Sequence, residues 1–398
     1  MAPQFLPIPV VGADLSVPLV TGGHARYVNL DYAASPPCLR AVADTIDRLL
    51  PWYSSVHRGA GFASTVTTEI YAAARRGLAR FVGAPANHSV VFTRNTTDAL
   101  NLLASALPDD TTVVTFASEH HANLLPWRRG ARIAVDAAQL APHRAIDMAA
   151  LGADYVALSG HKLYAPFGAG ALIGRADWLD AARPYLAGGG AVRDVTVDDT
   201  DWADGPARHE AGTPNVIGAA ALAAACQTLA AQGMARVAAH EATLLARLID
   251  GLRALPGVAI LSLWGGAAKR IGVVSFVVAG WHPGALAAAL SAEYGIGVRD
   301  GAFCAHPLVT TMLGSRVPGA VRASFGVGTE REDIDRFLAA LRELVTHGAR
   351  WQYRVDAGRY VPDADPRVRP EVHRELTKLL GGVVVEGAPC AARASTLA

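Results

Sequence analysis

Residues 154–170 read DYVALSGHKLYAPFGAG, and few stretches constrain a fold more tightly. Tyr155-Val156-Ala157-Leu158 is short, wholly apolar and entered from a Gly-Ala-Asp turn, the pattern of a buried strand. It ends at once in Ser159-Gly160-His161-Lys162. An amine one step past a buried strand is costly unless it is solvated, paired or covalently engaged. A lone lysine in that position is ordinarily a solvated loop residue. Three other strand ends weigh against that plain reading here.

SVVFT (89–93) runs into Arg94-Asn95-Thr96-Thr97-Asp98, and a helix begins with ALNLLASAL. Strand, short polar loop and helix N-terminus together offer free N–H groups and hydroxyls to a phosphate; the competing reading is a plain N-cap by Asn95 or Thr97. TTVVTF (111–116) predicts a strand leading to His120, and RIAV (132–135) one ending in Asp136 and Gln139. GALIG (170–174) reads as an antiparallel companion. Strands alternating with helices predict an α/β domain with a mostly parallel sheet, whose ligands gather at the carboxyl edge. That edge presents a phosphate site, a planar imidazole, a carboxylate and an amine. Pyridoxal phosphate uses all four: phosphate on the helix end, ring on the imidazole, ring nitrogen on the carboxylate, aldehyde on Lys162. The Gly168–Gly174 spacing does not match a dinucleotide loop.

With 398 residues, two domains are expected. A charged fraction of 18% and a net charge of +1 give no case for nucleic acid or an anionic membrane. The apolar N-terminus is broken by prolines and lacks a basic region, so no signal peptide is expected. No run reaches the roughly 18 unbroken apolar residues of a membrane span, and the Ala-rich stretch 216–232 reads as a packed helix. Cys38, Cys226, Cys304 and Cys390 form no CxxC pair, and adjacent His120 and His121 cannot face one metal, so neither zinc nor a disulfide framework is expected and a reducing cytoplasm suits the chain. Cys38 follows Pro36-Pro37 at a helix start, where a thiolate would be favoured; plain space-filling is the alternative.

From about 236 the texture changes to helix 236–254, strands near 257–262 and 271–279, and helix 283–293. The expected division is a large domain over 23–235, a smaller α+β domain from 1–22 with 236–349, and a tail over 350–398 holding a hairpin in the segment through Tyr360-Val361-Pro362, a helix over 369–380 and a last strand.

The set NLDYAASPP, VHRGAG, RNTTDALN, EHHAN, VDAAQ, SGHKLYAPFGAG, HEAGTPN and VRASFGVGT resembles class V aminotransferase-fold enzymes of fold type I, nearest the cysteine desulfurase and selenocysteine lyase branch, over residues from about 27 to 345. The resemblance implies an internal aldimine on Lys162, Asp136 on the pyridinium, Gln139 on the ring oxygen and His120 stacked on the ring. It implies a phosphate held by Thr96, Thr97, Ser159 and His161, joined by Thr213 from the partner subunit of a homodimer. Arg322 would clamp the carboxylate of a cysteine-like substrate, with Arg299, His57 and Arg58 as further substrate-side candidates. In Arg299-Asp300-Gly301-Ala302-Phe303-Cys304-Ala305-His306-Pro307, Cys304 would take sulfur as a persulfide, helped by the charge of Arg299 and His306, and pass it to an acceptor protein. The departure is Ala302-Phe303, where the family often carries polar or histidine residues.

A second departure lies between Asn123 and Asp136, which are joined only by LLPWRRGARIAV. The family places several tens of residues there, with a strand, a helix and a polar residue that reaches the cofactor. A crossover needs at least about 10–12 residues. The expectation is a deletion near 129–130 that keeps the motifs and compromises fold and activity. Transamination, C–S lysis, epimerisation and a non-catalytic role stand as alternatives to desulfuration.

Overall fold

Strand and helix alternate through the first half of the chain as the apolar periodicity predicts. The structure, a computed structural model, describes residues 7–57, 59–109, 111–114, 132–263, 265, 270–314 and 317–381. Helix α1 (Arg40–Leu49) buries Val42, Ile46 and Leu49, and α2 (Phe62–Phe81) buries Thr67, Tyr71, Ala74 and Leu78, the i, i+4, i+7 spacing of one helical stripe. Strand β1 (His88–Thr93) then leads into α3 (Thr96–Ser105), followed by β2 (Ala134–Asp136), β3 (Tyr155–Ser159) and β4 (Gly170–Arg175). The sheet order is β1-β4-β3-β2. β4 runs antiparallel to both neighbours, while β2 and β3 are parallel. Thus β1, β2 and β3 point their carboxyl ends the same way, and the antiparallel companion is where it was expected. The strand expected over 111–116 is not seen in its described part, since 111–114 hold no strand; residues 115 and 116 lie outside the described residues.

The Ala-rich helix α4 (Val216–Gln232) packs on α1 and α2. Its small side chains let three helix backbones approach closely. No single described helix is long and apolar enough to cross a membrane.

The chain divides into two units: Met1–Val11, Tyr32–Thr243 and Gly326–Gly328 form the first, and Gly12–Asp31, Leu244–Phe325 and Thr329–Ala398 the second. The expected boundary at 235/236 differs from this because α5 (Met234–Arg253) is one continuous helix. Its Val237 belongs to the first core, whereas Leu244, Leu248 and Leu252 belong to the second. The N-terminal stretch also divides: Ile8 N–H donates to Val327 O (2.9 Å) and Val10 joins the first core, while residues 12–31 belong to the second unit.

In the second unit β5 (Val258–Ile260), β6 (Val273–Val278), α6 (Pro283–Tyr294), β7 (Arg299–Gly301), α7 (His306–Leu313), β8 (Ala320–Ser324) and α8 (Arg331–His347) follow in order. The antiparallel sheet is ordered β5-β6-β8-β7. β6 alternates buried and half-buried residues, and its Val274 and Phe276 pack with Phe337 and Leu341 of α8. Each such side chain contributes ~1.5–3 kcal/mol.

The expected tail is partly built into this unit. β9 (Tyr353–Asp356) and β10 (Arg359–Pro362) make the predicted hairpin, and α9 (Glu371–Leu379) follows. Buried Glu293 of α6 accepts from Arg350 N (3.0 Å), Trp351 N (3.3 Å) and the Tyr353 hydroxyl (2.9 Å). A buried carboxylate is retained only when its oxygens are bonded in this way. Cys390 and the expected last strand lie outside the described residues.

Candidate active site

Three strand ends converge on one edge of the first sheet. β4 pairs Gly170 with Thr93 of β1 on one side and with Ser159 of β3 on the other. The parallel register sets Asp136 beside Ala157. The loops after Thr93, Asp136 and Ser159 therefore leave the same edge. Gly170 permits this, because a Cβ there would lie 2.6 Å from Leu158 O and 2.7 Å from Asn95 Cα.

The two sequence readings of the first loop separate onto different residues. Asn95 is the cap, its Oδ1 accepting from Asp98 N at 3.0 Å. The Thr96 hydroxyl is buried with no hydrogen-bond partner among the described residues, whereas Thr97 is exposed. Asp98 accepts from Arg94 N (2.9 Å), Arg94 Nη2 (2.8 Å) and the Tyr185 hydroxyl (2.9 Å). Burial alone would raise its pKa, but the bonds from Arg94 and Tyr185 outweigh that and hold the carboxyl below its usual range. A depressed folded pKa means stabilisation that is present above the ordinary carboxylate pKa and lost as pH falls through the folded value. Asp98→Asn is expected to cost about 1–2 kcal/mol at neutral pH and progressively less below about pH 4, read from urea midpoints of both chains across pH. A gap that stays constant down to pH 3 would reject this account of the loop.

Asp136 Oδ1 accepts from Ala138 N at 2.9 Å, which fixes the carboxylate as an Asx turn and leaves Oδ2 without a partner among the described residues. Gln139 donates Nε2–H to Ala33 O at 2.7 Å, and its second N–H remains for a ligand oxygen. Ser159 Oγ and His161 Nδ1 are 2.9 Å apart. Burial, then the Lys162 charge, lowers the His161 pKa, so the imidazole is uncharged at neutral pH. Lys162 ends the single-turn 3-10 helix Gly160–Lys162 rather than a free loop. Two residues on, buried Tyr164 holds a left-handed backbone (φ +62°), and its hydroxyl accepts from Val327 N at 3.1 Å. That clamp fixes the turn carrying the amine.

His120 and Arg58 lie outside the described residues. His57 and Thr213 line a cleft of about 640 Å³ together with Ser55, Arg75 and Glu210, a lining that includes none of Thr96, Asp136, Ser159 or Lys162. Beneath it is a network that sequence reasoning missed. Glu210 accepts from Tyr71 OH (2.8 Å), both Arg75 Nη atoms (2.8 and 2.7 Å) and Phe92 N (2.6 Å). The signal was HEAGTPN, read only for its threonine. Cys38 is half-buried, and burial pushes its thiol pKa up, which favours the space-filling reading.

In the second unit, β7 and β8 place Arg299 directly opposite Arg322, and Asp31 bridges to Ser324. Arg322 Nη2 donates to Asp31 Oδ1 at 3.1 Å. Burial lowers the Arg322 pKa and raises that of Asp31, so for both partners desolvation outweighs their mutual attraction; the guanidinium nevertheless stays charged. Cys304 is exposed. Phe303 and Cys304 both have left-handed backbones (φ +54° and +58°), which costs ~1–2 kcal/mol for each non-glycine residue.

The aminotransferase class V family matches this chain over residues 28–132 and 128–337. This chain belongs to the aminotransferase class V family. Among the relatives of this class V chain is a probable cysteine desulfurase of Mycolicibacterium paratuberculosis, 34% identical, matched over 76% of this chain and 54% of the relative. One of Vibrio cholerae is 31% identical, over 82% of this chain and 95% of the relative. The chain thus spans about half of the first relative and nearly all of the second. The apo structure of a cysteine desulfurase from Thermococcus onnurineus NA1 superposes with a TM-score of 0.74 at 32% identity, covering 80% of this chain and 94% of that one. A cysteine desulfurase from Escherichia coli in its S-sulfonic acid form gives 0.69 at 29%, covering 79% and 94%. The expected fold type I architecture is therefore present in this class V chain.

The two family matches meet at 128–132, beside the short link noted in the sequence. An alignment 394 residues long that takes in only 82% of this class V chain also leaves several tens of the relative's positions without a counterpart. The described residues of the first unit still fit pyridoxal phosphate. Among the described residues the buried Thr96 hydroxyl at a helix N-terminus has no partner, one Asp136 oxygen has none, and Lys162 supplies an amine at the same edge.

Proposed function

We propose that this chain is a pyridoxal-phosphate-dependent cysteine desulfurase. It takes sulfur from L-cysteine, releases L-alanine and carries the sulfur as a persulfide on Cys304. The observation that carries the reading is an exposed cysteine three residues past the strand that sets Arg299 opposite Arg322 in the second unit, in a chain whose first unit has residues that fit that cofactor.

When bound, the cofactor supplies an electron sink that acidifies the Cα–H of an amino acid. Lys162 would hold the aldehyde carbon of the bound cofactor, and its amine would move the Cα proton. Asp136 would face the ring nitrogen, Thr96, Thr97, Ser159 and His161 would receive the phosphate, and Gln139 would donate to the ring oxygen. Arg322, flanked by Arg299, takes the substrate carboxylate. Cys304 attacks the substrate sulfur as thiolate. An S–S bond forms, the C–S bond breaks with its electron pair left on carbon, and that carbon takes a proton. The net change is cysteine plus enzyme thiol to alanine plus enzyme persulfide, with no outside oxidant.

A homodimer suits this reading. Exposed Trp52, Tyr53 and Phe62 leave an apolar surface near the cleft that holds His57 and Thr213. The persulfide on an exposed residue suits transfer to an acceptor protein. A reducing compartment such as the cytoplasm keeps the thiol available.

Full-length protein loaded with the cofactor and given L-cysteine is expected to yield sulfide, under a reductant, and alanine in equal amounts. Pyruvate with ammonia, or a keto acid from another amino acid, would instead assign lyase or aminotransferase chemistry. One observation favours a second reading, a non-catalytic variant: the family match breaks into two segments at 128–132. Purified protein that takes up no cofactor, by visible absorbance, would select it.

A further inference from the structure

The residues around Arg322 contain a group the reaction above does not use. Phe303 lies with its ring centroid 5.0 Å from the Arg322 guanidinium carbon. The arginine is only 12% exposed, one Nη is tied to Asp31, and its Nε is buried with no acceptor among the described residues. A guanidinium has five donors in a fixed fork, so an orphaned Nε leaves one edge of the fork ready for a carboxylate. The aromatic face satisfies the cation only partly.

Phe303 is also bonded to Cys304, and the two consecutive residues share the left-handed conformation. Neither is glycine; Ala305 N–H donates to Ala302 O at 2.8 Å, closing a tight turn whose two central residues are Phe303 and Cys304, so a shift of one is felt by the other. The ring has somewhere else to go. Phe303 lines an apolar groove of about 280 Å³ with Leu261, Val273, Leu308 and Met312, large enough for a phenyl group.

We infer that Phe303 is a positioning residue that couples the carboxylate clamp to the nucleophile: its ring caps Arg322, and a carboxylate that takes the guanidinium moves the ring into the groove and swings Cys304 with it. The inference rests on the desulfurase reading only in taking Arg322 as the group that meets substrate. It makes the thiol's presentation dependent on an occupied clamp, so an idle enzyme holds Cys304 in a different pose from one with amino acid bound.

The test is iodoacetamide alkylation of Cys304 in the full-length, cofactor-loaded protein, followed by peptide mass analysis, with propionate as the carboxylate probe and propionamide as its neutral control. Propionate, and not propionamide, is expected to change the alkylation rate about two- to fivefold, the range a cation–π contact of this kind commands. Phe303→Leu, which keeps the apolar bulk without the π face, is expected to lose the response. Phe303→Tyr is expected to keep it, and Arg322→Gln to abolish it. Circular dichroism establishes that each variant is folded. A wild-type rate indifferent to propionate overturns the inference, as does a Phe303→Leu response equal to that of wild type. Alkylation needs no turnover, so the two readings fail separately. Sulfide release without a propionate response removes the coupling and leaves the desulfurase. A response without sulfide release does the reverse.

Discussion

Lys162→Ala is expected to leave a folded, colourless protein whose sulfide release from cysteine falls by at least about a thousandfold. The size of the effect follows from how few amines the chain owns. Lysine and arginine together number 36, yet only Lys162, Lys269 and Lys378 are lysines. A guanidinium cannot replace an amine, because it stays protonated and is no nucleophile. Lys378 is on α9 of the second unit, and Lys269 lies outside the described residues. The one-turn helix that Lys162 ends is set by Gly160 N–H donating to Ala169 O (2.7 Å) and by the Tyr164 clamp, neither of which the substitution removes. The variant should therefore stay folded, with a stability change within the ordinary range of about 0.5–3 kcal/mol. Borohydride reduction of the wild type should leave residue 162 carrying a pyridoxyl mass and the variant without one. Undiminished sulfide release from Lys162→Ala would end the case for this enzyme.

Cys304→Ala separates cofactor chemistry from sulfur transfer. The variant should bind cofactor as the wild type does, since none of the residues proposed to hold the cofactor is changed. Its cysteine-dependent sulfide release should drop by at least about a hundredfold, because among the described residues no second exposed thiol is present to take the role. Among the described cysteines Cys226 is buried and its thiol pKa is raised by burial, and Cys38 is shifted the same way. A paired Cys304→Gly variant adds a stability reading. Both lose the thiol, but glycine adopts φ +58° without a Cβ clash and should be more stable than alanine by about 1 kcal/mol. Full sulfide release from either chain would remove the persulfide step while leaving the cofactor reading in place.

Much of the candidate edge of the first sheet was legible in the sequence because its signals are short-range. The apolar runs before Arg94, Asp136 and Ser159 are strands, and the polar residues after them leave one edge. Periodicity and turn residues are written within a few positions of each other, so they survive in a linear reading. The pattern was less reliable where the competing force was tertiary. TTVVTF has a strand's composition, yet 111–114 form none. The boundary at 235/236 looked like a change of texture, but one helix spans both cores. Thr96 and Thr97 are equivalent as letters, and only burial tells the unpartnered hydroxyl from the exposed one.

The amino-acid order alone determined which side chains could do chemistry here: a nearly solitary amine after a buried strand, a carboxylate, hydroxyls at a helix start and a cysteine among arginines. The tertiary structure decided which of them meet and on what terms. Arg322 and Asp31 stand 291 positions apart, and Arg75 and Glu210 135 apart. Their pairing depends on strand register and on how much water is excluded, quantities set by the packed whole and carried by no local run of residues.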